Sequence, residues 1–285
     1  VTRYLDRVMA GEQPTEAEWN EHLVAFHHAY TSVTPALMSQ LRAPDGRTSY
    51  EVLAQRIKAL VPNARDILDV GCGDGTLLRE LERTFDSTIR LTGVDLSEDE
   101  LARGRAISSS VRFVRGEVSA IDLGRKSYDV VTSHLAFMAM SEIGKILAHT
   151  CGALRGDGML IFVCEDPLAG GAMFGLIRGA IEHLRVRLNN FAPIVPRREA
   201  IEDNEVLWSL LREAGFGKAR VERLSLRGAL TEEQLWAFLE RCYPLGMLEP
   251  ALRSELRYAM HSRMHAIAAS GSVAELPLRF VVATA

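Results

Sequence analysis

The stretch ILDVGCGDGTLL, residues 67–78, decides how this chain is read. A short apolar strand runs into Gly71, Gly73 and Gly75, and then into the helical pattern TLLRELERTF. Glycines permit positive φ and let a ligand lie against the backbone. The spacing is GxGxG behind Asp69, with Cys72 and Asp74 between the glycines, and not the GxGxxG of the dinucleotide fingerprint. That difference places a nicotinamide dehydrogenase well behind other readings.

Outward from this turn, strand-like and helical segments alternate. IRLTGVDLS (89–97) is a second strand, with Ser97 as N-cap of the helix that follows. VRFVRGE (111–117), YDVVTSHLAFM (128–138) and GMLIFVCED (158–166) are the third, fourth and fifth. Such alternation, with strands apolar enough to be covered on both faces, predicts a doubly wound parallel sheet. Before residue 60 the pattern is helical, opened by a Thr15/Glu18 capping box. After residue 166 come a Gly-rich and Pro-containing insertion (167–200), a helix and strand (204–226), a long helical excursion with a Pro-containing break, and a terminal strand, LPLRFVVATA. The last two strands are compatible with an antiparallel pair at the sheet edge. The expected division is 1–60 as a helical lid, 61–166 as the core, and 167–285 as helical insertions with strands completing the sheet.

Composition narrows the function. The chain has 285 residues, a net charge of −4, 47% hydrophobic and 25% charged residues, a balance that suits a soluble globular protein. Basic residues are spread among carboxylates, so the clustered charge needed for nucleic acid is missing; the densest basic segment, LRVRLNNFAPIVPRRE, reads as a solvated helix and loop. No apolar run reaches the ~20 residues that span a bilayer, and the N-terminal residues do not read as a signal peptide, so a cytoplasmic protein is expected. Cys72, Cys151, Cys164 and Cys242 show no CxxC spacing and read as reduced thiols.

In a doubly wound sheet, ligands bind beyond the carboxyl ends of the strands. Asp95 ends the second strand twenty positions after Gly75, where a carboxylate can accept hydrogen bonds from both ribose hydroxyls. Glu117, just past the third strand, could read an adenine edge together with the Val118 backbone N–H. Ser133 and His134 come to the mouth of the fourth strand.

With these four motifs in order, residues 67–163 resemble the class I S-adenosylmethionine-dependent methyltransferases. The resemblance implies a Rossmann-like, seven-stranded α/β fold and S-adenosylmethionine as cofactor. It implies that Asp69, Gly71, Cys72, Gly73 and Gly75 surround the amino acid part of the cofactor, Asp95 and Leu96 the ribose, and Glu117 and Val118 the adenine, with Ser133 also at the site. LRGDG stands where the family often has Leu-x-Pro-Gly-Gly, a change at a helix-to-strand turn. Family members use an N-terminal lid to close over the methionine end, and Tyr30 and Tyr50 are the candidates here.

Methyl transfer from a sulfonium needs alignment, exclusion of water and, for some acceptors, a base. His134 is the expected base, because it follows the fourth strand and histidine titrates near neutrality. Glu165 and Asp166 end the fifth strand and are placed to hold an amine or orient His134. On the lid helix, His28 and Tyr30 are further catalytic candidates, although His27 and His28 cannot share a helix face. His261 and His265 lie one turn apart without a third ligand, and no metal is expected. No Asn/Asp-Pro-Pro-Tyr or Pro-Cys motif follows the fourth strand, which argues against nucleic-acid methylation and leaves a small-molecule acceptor. GRTSYEVLAQRI and SHLAFMAM look like actinobacterial natural-product methyltransferases, including those that methylate indole C3 on the way to pyrroloindolines. The expectation is C-methylation of an indole, with O- or N-methylation of a similar metabolite as the alternative and a non-catalytic cofactor-binding protein as the third. A homodimer is compatible with the lid helices.

Overall fold

The computed structural model describes residues 2–188, 191, 199–243, 245–269 and 273–285. The Pro-containing part of the expected insertion, 192–198, and Pro244 in the second break lie outside the described residues. In chain order the elements are α1 (Arg3–Ala10), α2 (Glu16–Ala29), α3 (Val33–Met38), α4 (Ser49–Leu60), β1 (Asp66–Val70), α5 (Thr76–Thr84), β2 (Arg90–Asp95), α6 (Glu98–Ile107), β3 (Arg112–Arg115), β4 (Tyr128–His134), α7 (Ile143–Ala153) and β5 (Leu154–Glu165). They continue with α8 (Ala172–Leu188), α9 (Glu199–Glu202), α10 (Asn204–Glu213), β6 (Lys218–Gly228), α11 (Glu232–Glu240), α12 (Pro250–Ala269) and β7 (Ala274–Thr284).

The seven strands form one sheet in the order β3-β2-β1-β4-β5-β7-β6. β1 pairs in parallel with β2 and β4, and the parallel run extends to β3 and β5. β7 is antiparallel to β5 and lies between it and β6, so the terminal strand is inserted into the sheet and β6 forms the edge. Strand order reverses at β1, with β2 on one side and β4 on the other. The carboxyl ends of that pair are where such sheets bind ligands. Ile67, Leu68, Val130, Val131, Leu160 and Ile161 are fully buried, the near-continuous apolar signature of strands covered on both faces.

The chain divides into two compact units. The sheet unit comprises Asp45–Asp166, Arg197–Leu224 and Leu278–Ala285; the helical unit comprises Val1–Pro44, Pro167–Pro196 and Ser225–Pro277. The division differs from the expected boundary at residue 60. α4 groups with the sheet because its apolar stripe, Leu53, Ala54 and Ile57, is fully buried where the helix packs on α5 and β5. α9 and α10 join the same unit, so the segment after 166 is divided as well.

Within the helical unit, the capping box at Thr15 and Glu18 starts α2 as its residues suggest. Tyr4, Trp19 and Phe26 are buried there around His22. His22 Nε2 donates to the Tyr243 carbonyl at 2.9 Å, and its Nδ1 accepts from the Thr2 hydroxyl at 2.9 Å. α12 packs on α8 and α11. No described helix is long and apolar enough to cross a membrane.

Candidate active site

β1 ends at Val70 and the three glycines turn the chain into α5, each with positive φ: +69° at Gly71, +52° at Gly73 and +74° at Gly75. Their reasons differ. A Cβ on Gly71 would stand 2.4 Å from the Ala136 Cβ, so the loop after β4 packs directly on it. One on Gly75 would meet the Phe113 ring at 2.7 Å. Around Gly73 there is nothing within 4 Å, so this glycine faces open space. The Gly71 and Cys72 N–H groups donate to the Val94 carbonyl, tying the turn to the end of β2.

At that end, the half-buried Asp95 spans the turn. Its Oδ2 accepts from the Gly73 N–H and its Oδ1 from the Ser97 N–H, both at 2.8 Å. Each carboxylate oxygen keeps a lone pair for a ligand hydroxyl. Leu96 and Glu117 are half-buried, Val118 is buried, and the Gly116 N–H donates to the Asp95 carbonyl, which sets β3 beside the turn. Asp69 is 1% exposed, and its Oδ1 has no hydrogen-bond partner among the described residues. Burial first, and the charge of Asp95 second, hold its carboxyl well above the usual range. A buried carboxylate beside another carboxylate is a site short of a cation. Cys72 is no nucleophile, because burial and the nearby carboxylates push its thiol well up.

The mouth of β4 departs from expectation. Ser133 is fully buried and its hydroxyl donates to the Val70 carbonyl at 2.8 Å, so it stitches β4 to β1 and is not free for a ligand. His134 is 7% exposed, and burial pushes its imidazole down to about 3. The expected general base is therefore neutral at physiological pH and a weak proton acceptor, a correction that follows from its dehydration. Its Nε2 is 2.9 Å from Ser49 Oγ, and its ring stacks on Tyr50 with centroids 3.8 Å apart. Tyr50 is thus held against His134. Ser49, missed in the sequence, was hidden in the TSYE capping box that starts α4. The next residue, Leu135, has φ +55°, a strained conformation for a branched side chain, and its N–H is held by the Val163 carbonyl.

Glu165, half-buried, ends β5. Asp166 is buried and committed to arginines: its Oδ2 accepts from Arg223 Nε at 2.9 Å, and Arg279 Nε stands 3.9 Å from its Oδ1. Arg279, 1% exposed, also donates to the Ile201 and Glu202 carbonyls and to Asn204 Oδ1, anchoring the α9 region to β7. A lone arginine in LPLRFVVATA was its only signal. In the helical unit, the Tyr30 hydroxyl donates to the Gly246 carbonyl at 2.9 Å, and His28 is exposed. Neither arrangement supports the catalytic parts expected of them. His261 and His265 are exposed and share Glu232.

Comparison with known proteins identifies the arrangement. The methyltransferase-domain family matches residues 67–158. A carboxy-S-adenosyl-L-methionine synthase of Wolinella succinogenes is 30% identical over 175 residues, 55% of this chain and 70% of the synthase. The chain belongs to the class I S-adenosylmethionine-dependent methyltransferases. A malonyl-acyl-carrier-protein O-methyltransferase of Acetivibrio thermocellus is 36% identical over 100 residues, but this methyltransferase spans only 34% of that relative's length. The cyclase SpnF superposes with a TM-score of 0.58 at 17% identity, covering 95% of this chain and 96% of its own, which shows the shared fold.

S-adenosylmethionine is the cofactor of this enzyme, and the residues present fit it. The molecule carries a positive sulfonium and an ammonium group, and the unpartnered Asp69 oxygen beside Asp95 lacks a cation. The open side of Gly73 leaves room for close approach to the backbone.

Proposed function

We propose that this methyltransferase acts on a small aromatic metabolite, and in the most specific form methylates an indole at C3. The supporting observation for the cofactor half is the buried Asp69 carboxyl, whose Oδ1 has no partner among the described residues, on the strand that runs into the open glycine turn. Asp69 and the Gly71–Gly75 turn would hold the amino acid end, Asp95 and Leu96 the ribose, and Glu117 with the Val118 N–H the adenine edge. The bound cofactor supplies a methyl group on a good leaving group, ready for in-line displacement.

The state of His134 narrows the acceptor. A neutral, weakly basic imidazole is poor at removing a proton before attack, so a nucleophile that attacks in its neutral form fits best. An electron-rich indole carbon does so, because its N–H proton is lost after the methyl group has moved. Glu165, ending β5, is the proposed recipient of that proton or the holder of a cationic group on the acceptor. The second reading, O- or N-methyl transfer to a natural-product small molecule, draws on the O-methyltransferase relative.

The test is in two stages. Titration calorimetry with S-adenosylmethionine should show micromolar binding that Asp95→Ala weakens strongly; a folded wild type that binds nothing would sink the reading. Turnover of a panel of indoles, phenols and amines with ¹³C-methyl cofactor then reads the methylated atom directly. Methyl groups on oxygen or nitrogen alone would replace the indole reading with the second one.

A further inference from the structure

The α4 face of the sheet carries a groove of about 410 Å³ that the functional reading leaves unused. Small-molecule sites run from about 300 to 1,000 Å³, so the size suits a ligand. All of its lining belongs to the sheet unit. One side is a stripe of α4 that carries Val52 and Arg56, one turn apart. Facing it are Phe280 of β7 and Glu222, Arg223 and Leu224 of β6, and Arg47, just before α4, completes the lining.

Its place follows from register. His134, Val163 and Phe280 are partners in one row across β4, β5 and β7, so their side chains share a face. His134 meets α4 through Ser49 and Tyr50. Phe280 lines the groove with the same helix two strand spacings, about 10 Å, further on. The glycine turn follows β1, three strands or about 14 Å from β7. A cofactor at the turn and a ligand in the groove therefore do not compete.

The chemistry is that of guanidinium groups. Arg47 spends two of its five N–H donors on Asp45, Arg56 one on Glu222, and Arg223 one on Asp166. These carboxylates fix the direction of each fork and leave most of its donors open. Arg56 Nε is buried and has no partner among the described residues, a costly state for a charged donor. Glu222, the carboxylate in the lining, accepts from Arg220 as well as from Arg56, so the groove does not call for a cation. It calls for acceptor oxygens, and beside them Val52, Leu224 and Phe280 offer an apolar surface.

We propose that this groove binds a small amphiphilic oxyanion, its carboxylate or phosphate held by Arg47, Arg56 and Arg223 and its apolar body lying on Val52, Leu224 and Phe280. Planar guanidiniums suit such groups because paired N–H donors match two oxygens at once. The chemistry is the same whether the oxyanion is a distal group of the methyl acceptor or a separate effector. Arg223 ties the groove to Asp166, next to Glu165 at the mouth of β5. The site itself does not depend on the methyl-transfer reading.

The experiment is calorimetric titration of phenyl phosphate and of 3-phenylpropionate into the full chain at low salt, with 3-phenylpropanol as the uncharged control. One or both anions should bind, more weakly at high salt, and the alcohol should not. Arg56→Gln and Arg223→Gln should each weaken binding about tenfold or more. Ala59, exposed on α4 and part of the lining, gives a variant that leaves the arginines in place. Ala59→Glu would offer Arg56 a carboxylate of its own and should abolish binding, with melting curves checking that each variant is folded. Saturating S-adenosylhomocysteine should leave the titration unchanged. Once an acceptor is known from turnover, phenyl phosphate that competes with it places the groove in the acceptor site, and phenyl phosphate that binds without raising its KM marks a separate effector site. The proposal is overturned if neither anion binds, if the alcohol binds as well as they do, if S-adenosylhomocysteine displaces them, or if the three folded variants bind like the wild type.

Discussion

Lowering the pH should destabilise this enzyme through His134 in a way that one substitution removes. The unfolded chain protonates a histidine near 6.5, whereas burial holds the folded imidazole neutral down to about 3. Between those values the unfolded state binds the extra proton, so stability is complete above about pH 7 and falls as pH drops through the unfolded pKa. One pH unit of one-proton difference is worth about 1.36 kcal/mol, so this single site costs about 2 kcal/mol at pH 5 and about 4 kcal/mol by pH 3. His134 is 7% exposed, so little solvent screening reduces these figures. The assay is urea unfolding of the wild type and His134→Gln at pH 8, 6 and 5. Other titrating groups, including buried His22 with its own lowered imidazole, act equally in both proteins and cancel. The wild type should lose about 2 kcal/mol more than the variant between pH 8 and pH 5. Parallel curves would refute the claim that His134 is buried neutral, and with it the argument that it is a weak base.

Three further outcomes are expected. Burial and the charge of Asp95 hold the Asp69 carboxyl well above the usual range and a cation brought by the cofactor opposes that shift, so the pH dependence of cofactor binding should change in Asp69→Asn; calorimetric titration at several pH values checks this. Gly71→Ala should lower stability by about 1–3 kcal/mol, because its Cβ would meet Ala136, whereas Gly73→Ala should cost about 1 kcal/mol from its positive φ yet weaken cofactor binding more than tenfold. Melting curves beside cofactor titrations separate the two. Arg279→Met should cost about 3–5 kcal/mol in urea unfolding, because it strips the buried Asp166 of a counter-charge and four acceptors of a donor, and Arg279→Lys should not rescue it, having no planar fork.

What the sequence discloses is what local pattern encodes. The β1–turn–α5 unit and Asp95 were legible because positive φ demands glycine and because a fixed strand-to-strand distance places the carboxylate. α4 groups with the sheet and not with the helices before it, which was not legible because an amphipathic stripe such as Leu53, Ala54 and Ile57 declares that it will be buried and not against what. The insertion of β7 between β5 and β6 is long-range pairing of the same kind. Ser133 and His134 were correctly brought to the strand mouth, but adjacent strand residues point to opposite faces, and residue type does not reveal that one hydroxyl would be spent on Val70. The expected base fails for a related reason. A histidine's basicity belongs to its surroundings, and here the surroundings are Tyr50 and Ser49, eighty-four and eighty-five residues away. Tyr50 was singled out as a lid residue, not as a neighbour of His134, and Ser49 was visible only as part of a helix start, because a capping box explains Thr48 and Glu51 completely and leaves the serine between them unremarked. Its partner exists only once the sheet has formed.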